Sequence, residues 1–358
     1  MRRLADPSGN ALEHGALPRL IMMLARARVR FLRRALRRSN KRLRRSKKGF
    51  RRNARRVRKG RKKWAKVYRR ARDRLLCDRV SRHPLRRLAG YFILGWQLGA
   101  VAAGPWDRVK LWTASGLLAV QNLYQTPGRK PWEFKLQSGE HRFSLRVNDI
   151  SEIEVLNEVL REHEYAVRLP RDPTVILDLG SNVGASVHYF RGKYPDARII
   201  AVEPDPHTAA KLRASMEGWA NMEVYSVAIA RADGRRLFYP SQLSYASSLI
   251  KSRSVGRLIE RVQPRPVEVT ACSLDSLLDR LGLRWIDLLK IDIEGAEFEA
   301  LEAFAGMSRV HTLVGEFHGD VNKRSMTELA PVFEGFDLEI RSGDPAKRCH
   351  FTARRMVP

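Results

Sequence analysis

From residue 132 onward, apolar runs of four to eight residues alternate with amphipathic stretches, the pattern of an α/β domain. Residues 133–147 read as a β-hairpin turning at Ser138-Gly139, and 153–163 as a helix carrying Ile153, Leu156, Val159 and Leu160. Five strand candidates follow, at 175–179, 199–202, 224–229, 288–293 and 312–317, most of them succeeded by a helical pattern. A doubly wound, mostly parallel sheet is the expected architecture, and no internal repeat interrupts it.

Upstream the pattern changes. Residues 88–106 carry no charge, and after Asp107, Arg108 and Lys110 a second uncharged run covers 111–128. Both approach the length of a membrane span, about 20 apolar residues, but Gly90, Gly95, Gly99, Gly104, Pro105 and Gln97 dilute the first. A helical hairpin packed on the protein is the simpler expectation. A membrane hairpin is the alternative, in which Gly95 and Gly99 would suit close packing and the basic flank would stay cytoplasmic.

Charge then separates the chain into parts. Of 68 Lys and Arg, 27 lie at 26–74 beside the lone acid Asp73, so most of the +30 net charge belongs there. Elsewhere 41 bases face 37 acids. Phe31, Leu36, Phe50, Trp64 and Tyr68 interleave those bases at helical spacing, so one or two basic helices are expected. Such helices suit nucleic-acid phosphates or an anionic membrane surface, and a solvated arm is the bland alternative. The expected organisation is a tail at 1–25, a basic arm at 26–87, an apolar helical pair at 88–130 and an α/β domain at 131–358. Cys77, Cys272 and Cys349 are far apart and form no CxxC pair, which fits a reducing, cytoplasmic setting. Asp6, Glu13 and Pro18 interrupt the first twenty residues, so no secretory signal is indicated there.

The chemistry concentrates at predicted strand ends. The first strand closes in Asp178-Leu-Gly-Ser-Asn-Val-Gly184, and Glu203 closes the second, about 20 residues on, where an acid can accept hydrogen bonds from a ribose. The glycine spacing is not GxGxxG, and no Lys-Ser/Thr pair follows as in a P-loop. A nucleoside cofactor without phosphates, such as S-adenosylmethionine, fits that pattern.

Four motifs in order, Asp178-Leu-Gly-Ser-Asn-Val-Gly184, Val202-Glu-Pro-Asp205, Asp287-Leu-Leu-Lys-Ile-Asp-Ile-Glu-Gly295 and Gly315-Glu-Phe-His318, resemble the FkbM-type S-adenosylmethionine-dependent methyltransferases. The resemblance covers roughly residues 134–351 and leaves the first 130 residues unexplained. It implies a class I, Rossmann-like methyltransferase fold and methylation of a hydroxyl on a sugar, glycan or secondary metabolite. It also implies that Asp178, Gly180, Ser181, Asn182 and Gly184 shape the pocket for the methionine half of the cofactor. Glu203 would hold the ribose diol, Pro204 would lie against the adenine, and Ala228 would leave room for that ring. Glycine at 180 would keep a side chain from intruding on the ligand, and at 184 it would permit close helix packing. Asp205, ahead of Pro206, is a start signal for the next helix.

Asp292, Glu294, Glu316 and His318 cluster at the ends of two strands that should face one crevice. Transfer to an alcohol is an in-line displacement that needs the hydroxyl aligned and its proton removed, so the base is expected among these four. Two alternatives stand beside it: the cluster holds a divalent metal, which no ligand motif here specifies, or Asp292 and Glu294 cap the next helix. Tyr245, Ser247 and Ser248, in the stretch Leu243-Ser-Tyr-Ala-Ser-Ser-Leu249, are candidate substrate contacts on a polar loop. Two other functions compete, an RNA methyltransferase served by the basic arm and a non-catalytic scaffold that binds nucleic acid or anionic lipid.

Overall fold

The computed structural model describes residues 84–124, 131–239 and 266–356. The basic arm and the candidate contacts Tyr245, Ser247 and Ser248 lie outside them.

The chain opens with helices α1 (Pro84–Leu98) and α2 (Pro105–Tyr124), followed by a hairpin of β1 (Trp132–Ser138) and β2 (His141–Val147) in antiparallel register. The two helices pack against one another and bury Leu94, Leu98, Leu111, Ala114 and Leu118 in the same core as Phe134 and Leu136 of β1. Gly95 permits this approach, because a Cβ there would meet Ser115 Oγ at 2.5 Å and the Leu111 carbonyl at 2.6 Å. Gly99 has only ordinary contacts with Arg108. No helix among the described residues is long and apolar enough to cross a membrane.

Helix α3 (Ile150–Leu156), capped by the Asp149 carboxylate, continues into a π-turn at Asn157–Arg161. The α/β alternation then runs through β3 (Val175–Leu179), α4 (Ala185–Lys193), β4 (Arg198–Val202), α5 (Pro206–Ser215) and β5 (Met222–Tyr225). A short β6 (Ala228–Ile229), β7 (Gly234–Phe238) and β8 (Val267–Cys272) form a separate three-stranded sheet. After α6 (Leu274–Arg280) come β9 (Ile286–Ile291), α7 (Glu297–Glu302), β10 (Val310–His318), α8 (Gly319–Asn322), β11 (Phe336–Asp344) and β12 (Arg348–Arg355).

The main sheet has the order β11-β12-β10-β9-β3-β4-β5, with β5, β4, β3, β9 and β10 parallel and β12 antiparallel to its neighbours. It is a Rossmann-like, doubly wound sheet, mostly parallel as expected. Alternate residues of its central strands point into two cores: Ile176, Ile199 and Leu288 into one, Leu177, Ile200 and Leu289 into the other. The chain steps from β3 outward to β5 and later returns to place β9 on the other side of β3. That reversal leaves a crevice beyond the carboxyl ends of β3 and β9, the place where open α/β sheets bind ligands.

One strand departs from the sequence pattern. Residues 224–229 are not continuous: β5 ends at Tyr225 in the main sheet, and Ala228 pairs with Ala271 in the small one. The break falls at Ser226-Val227, beyond which the chain pairs with β8 of the small sheet.

A buried histidine gives this domain an acid-sensitive spot. His188 on α4 is fully buried, its ring centroid 3.7 Å from that of Phe143 and its Nδ1 3.3 Å from His141 Nε2. Burial, then the neighbouring His141, holds His188 well below its ordinary range, while burial followed by Arg191 lowers His141. A histidine depressed on folding contributes stability above its unfolded value, about 6.5, and that contribution is lost as the pH falls toward the folded value. Thermal melts are therefore expected to show the wild type losing more stability than His188→Phe between pH 7 and pH 5; equal losses would contradict this.

Candidate functional site

The turn after β3 is built around a left-handed backbone. Gly180 has φ +77°, and a Cβ there would fall 1.8 Å from the Asp292 carbonyl. The obstacle is thus the backbone following β9, whereas the sequence alone pointed to the ligand. Gly184 (φ +91°) starts α4, and a Cβ there would meet Leu212 of α5 at 2.6 Å and Met216 at 2.9 Å. Asn182 is also left-handed, at φ +48°.

Glu203, at the end of β4, clamps this turn. Its Oε2 accepts the Asn182 N–H at 2.9 Å and its Oε1 accepts the Asp205 N–H at 2.9 Å. Burial pushes its carboxyl up to about 7, against the two backbone hydrogen bonds that hold it down. Each oxygen keeps a further lone pair for an incoming hydroxyl. Asp205 caps α5 through the N–H groups of His207 and Thr208, with Pro206 in the first turn.

Around this clamp lies a pocket walled by Gly180, Ser181, Asn182, Glu203 and Pro204 on one side, by Val227, Ala228 and Phe238 on another, and by Asp292, Ile293 and Glu294 at its end. Of the residues that the sequence placed at the cofactor, Asp178 and Gly184 stand outside this wall. Asp178 is fully buried beneath the turn, where it takes the Ser186 hydroxyl and the Lys290 ammonium.

Lys290 was not singled out by the motifs, yet it organises the strand ends. It occupies β9, every residue of which is buried, and its Nζ donates to the carbonyls of Leu179 (3.1 Å) and Gly180 (2.7 Å). The same ammonium lies 3.2 Å from Asp178 Oδ1 and 3.9 Å from Asp292 Oδ2. Burial opposes its charge, but these carboxylates outweigh that and raise its pKa. A lysine set between apolar residues of a fully buried strand was the available signal. Tyr165, which the sequence did not mark, donates to Asp292 Oδ2 at 2.6 Å. Burial pushes the Asp292 carboxyl up, and Lys290, then His318 and Tyr165, bring it below its ordinary value.

The structure does bring Asp292, Glu294, Glu316 and His318 together. His318 Nε2 faces Glu294 Oε2 at 3.4 Å, Glu316 Oε2 at 3.5 Å and Asp292 Oδ1 at 3.8 Å. Asp292 and Glu294 reach the pocket wall, whereas Glu316 and His318 stand behind them. Glu294 sits at φ +51°, and burial raises its carboxyl to about 8 against the pull of His318. Burial pulls His318 down, but Glu297 and Glu294 carry it well above its ordinary value. Glu297, another residue missed in the motifs, accepts the N–H groups of Ile293 and Gly295 and contacts His318 Nδ1 at 2.9 Å. It therefore holds the entry to α7, and neither Asp292 nor Glu294 caps that helix.

Known proteins place this arrangement in context. A profile described as the methyltransferase FkbM domain matches residues 178–330. The 2-O-methyltransferase NoeI of Sinorhizobium fredii is 30% identical over 193 residues, which span 49% of this chain and 79% of that protein. The methyltransferase SdnD of Sordaria araneosa is 30% identical over 239 residues, covering 58% of this chain and 92% of its own length. Methyltransferase 1 of Beauveria bassiana is 27% identical over 177 residues, 44% of this chain and 71% of that one. Among solved structures, a fibrillarin/Nop5p complex aligns with TM-score 0.37 and 13% identity over 64% of this chain and 98% of that chain, and it carries no functional argument.

The buried ammonium yields a sharp test. Lys290→Met leaves the buried Asp178 carboxyl without its ammonium, which costs about 3–5 kcal/mol. Urea denaturation should show that loss, and Lys290→Met combined with Asp178→Asn should recover part of it; an additive double variant would contradict the pairing.

Proposed function

The chain belongs to the FkbM methyltransferase family, and from that membership we propose that it transfers the methyl group of S-adenosylmethionine to a hydroxyl of a small molecule or glycan. The by-product would be S-adenosylhomocysteine. The observation that carries the reading is the buried Glu203 carboxylate, fixed by two backbone N–H groups at the edge of a pocket whose remaining wall is largely apolar.

The donor set fits the cofactor. Glu203 offers free lone pairs to two ribose hydroxyls, and charge-assisted bonds of this kind are the strong ones. Val227, Ala228 and Phe238, beside Pro204, suit the faces and edge of an adenine ring. The turn Gly180-Ser181-Asn182 presents backbone to the methionine portion. When bound, the cofactor supplies an electrophilic methyl on a sulfonium, a cation that the acidic end of the pocket complements.

This chain's own contribution is positioning. Asp292, held by Tyr165 and Lys290, and Glu294 form the wall at which an acceptor hydroxyl would be aligned and relieved of its proton. Glu316 and His318 would act behind that wall by fixing its charge. The relative named as a 2-O-methyltransferase favours an oxygen acceptor.

Calorimetric titration of S-adenosylhomocysteine tests this. Glu203→Gln should weaken binding by roughly 10- to 100-fold, since a hydrogen bond to a charged group contributes about 1.5–3 kcal/mol. Wild-type affinity should also fall as the pH drops through about 7, where the Glu203 carboxyl takes up its proton, and the variant should lack that dependence. Undiminished affinity in the variant would overturn the reading.

A further inference from the structure

The helical hairpin of α1 and α2 buries one face and turns the other outward. Leu94, Leu98, Leu111, Ala114 and Leu118 face the core, and because the two helices pack side by side, their opposite faces form one outer surface. That surface is apolar. Trp96 on α1 is 74% exposed and Trp106 on α2 is 78% exposed. Trp106, Val109, Thr113, Leu117 and Val120 follow one another at steps of three and four residues, a single stripe of α2, and Val109 and Leu117 on it are exposed as well.

A surface helix ordinarily sets charged residues opposite its core face. Here no charge occurs at 88–106 or at 111–124. Of the three charged residues between, Asp107 turns inward, and its Oδ1 accepts the Lys135 N–H at 3.1 Å. Arg108 and Lys110 stay exposed, so the exposed charge of residues 88–124 is positive only. Thr113, the polar side chain of the stripe, turns its hydroxyl back to the carbonyls of Val109 and Lys110. It asks for no outside partner.

We propose that this outer face seats the protein on an anionic lipid bilayer, lying within the headgroup region without crossing it. Contiguous exposed apolar surface marks a protein or a membrane contact, and three features favour lipid. Tryptophan, an apolar ring with one N–H donor, settles at the level of the headgroups. A stripe whose single hydroxyl is already bonded loses nothing when water leaves it. Residues 26–74, which precede α1 in the chain, carry 27 bases against one acid, and an apolar anchor joined to a polybasic segment supplies the two signals that stable attachment to anionic lipid requires. Nucleic acid would engage the bases alone and leave the uncharged face in water. The seating does not depend on which reaction the pocket performs.

The test mixes the full chain with vesicles of phosphatidylcholine, or of equal parts phosphatidylcholine and phosphatidylglycerol, and follows flotation through a density gradient. The wild type should float with the anionic vesicles and less with the neutral ones, and brominated lipid should quench its tryptophan fluorescence. Trp96→Gln combined with Trp106→Gln should weaken binding by about tenfold or more, because burying one large apolar side chain is worth about that factor. Both side chains project into solvent, so the double variant should keep the wild-type melting temperature. Trp285→Gln, an exposed tryptophan outside the hairpin, should float like the wild type. No flotation by the folded wild type would overturn the proposal. Equal flotation by the double variant would overturn it in favour of the basic arm alone, and retention of polyuridine RNA in place of vesicles would assign that arm to nucleic acid. A wild-type dimer that the double variant dissociates, with no flotation by either, would give the face to a second copy of the chain.

Discussion

The ammonium of Lys290 is the interaction on which the site depends. Two adjacent parallel strands, β3 and β9, end at the point where the sheet reverses its order, and their last carbonyls and carboxylates converge there. One buried cation answers four of them: the carbonyls of Leu179 and Gly180 and the carboxylates of Asp178 and Asp292. A buried charge is costly unless paired, so the ammonium and its acceptors hold one another in a single arrangement. The consequence runs in both directions along the sheet. On the β3 side it fixes the turn that carries Gly180 and Asn182; on the β9 side it fixes Asp292 at the end of the pocket.

The two halves of the site have opposite electrical characters, and the fold explains why. The β3–β4 half is clamped by Glu203 through backbone N–H groups and otherwise presents small or apolar residues. This half suits a neutral nucleoside with a diol. The β9–β10 half gathers Asp292, Glu294 and Glu316 around His318, with Lys290 beside Asp292 and with Arg348 and His350 beside Glu316. Desolvation makes such a concentration of carboxylates unfavourable without positive charge at its centre. A sulfonium on one side and a protonated His318 on the other meet that requirement.

Much of this was legible in the chain. The strand Val175–Leu179, the hairpin turning at Ser138-Gly139, the helix start at Asp205-Pro206 and the convergence of two acidic strand ends follow from hydrophobic period and local capping chemistry, which act over a few residues. What escaped depends on partners distant in sequence. Residues 224–229 divide because Ala228 pairs with Ala271, 43 positions away. The obstacle at Gly180 is the Asp292 carbonyl, which only the β3–β9 pairing brings near. Tyr165, Lys290 and Glu297 act through contacts that no spacing rule encodes, although a lysine within an apolar strand and a glutamate opening a helix beside a buried histidine are signals that can be sought.

The central claim is that one crevice holds an adenosine moiety on Glu203 and directs a methyl group toward the acidic wall of Asp292 and Glu294. A crystal structure of the full chain with S-adenosylhomocysteine tests it most directly. The account predicts both ribose hydroxyls within hydrogen-bond distance of the Glu203 carboxylate, the adenine between Pro204 and Ala228, and the thioether sulfur facing Asp292 and Glu294. An adenosine bound elsewhere, or a sulfur pointing away from that wall, would contradict it.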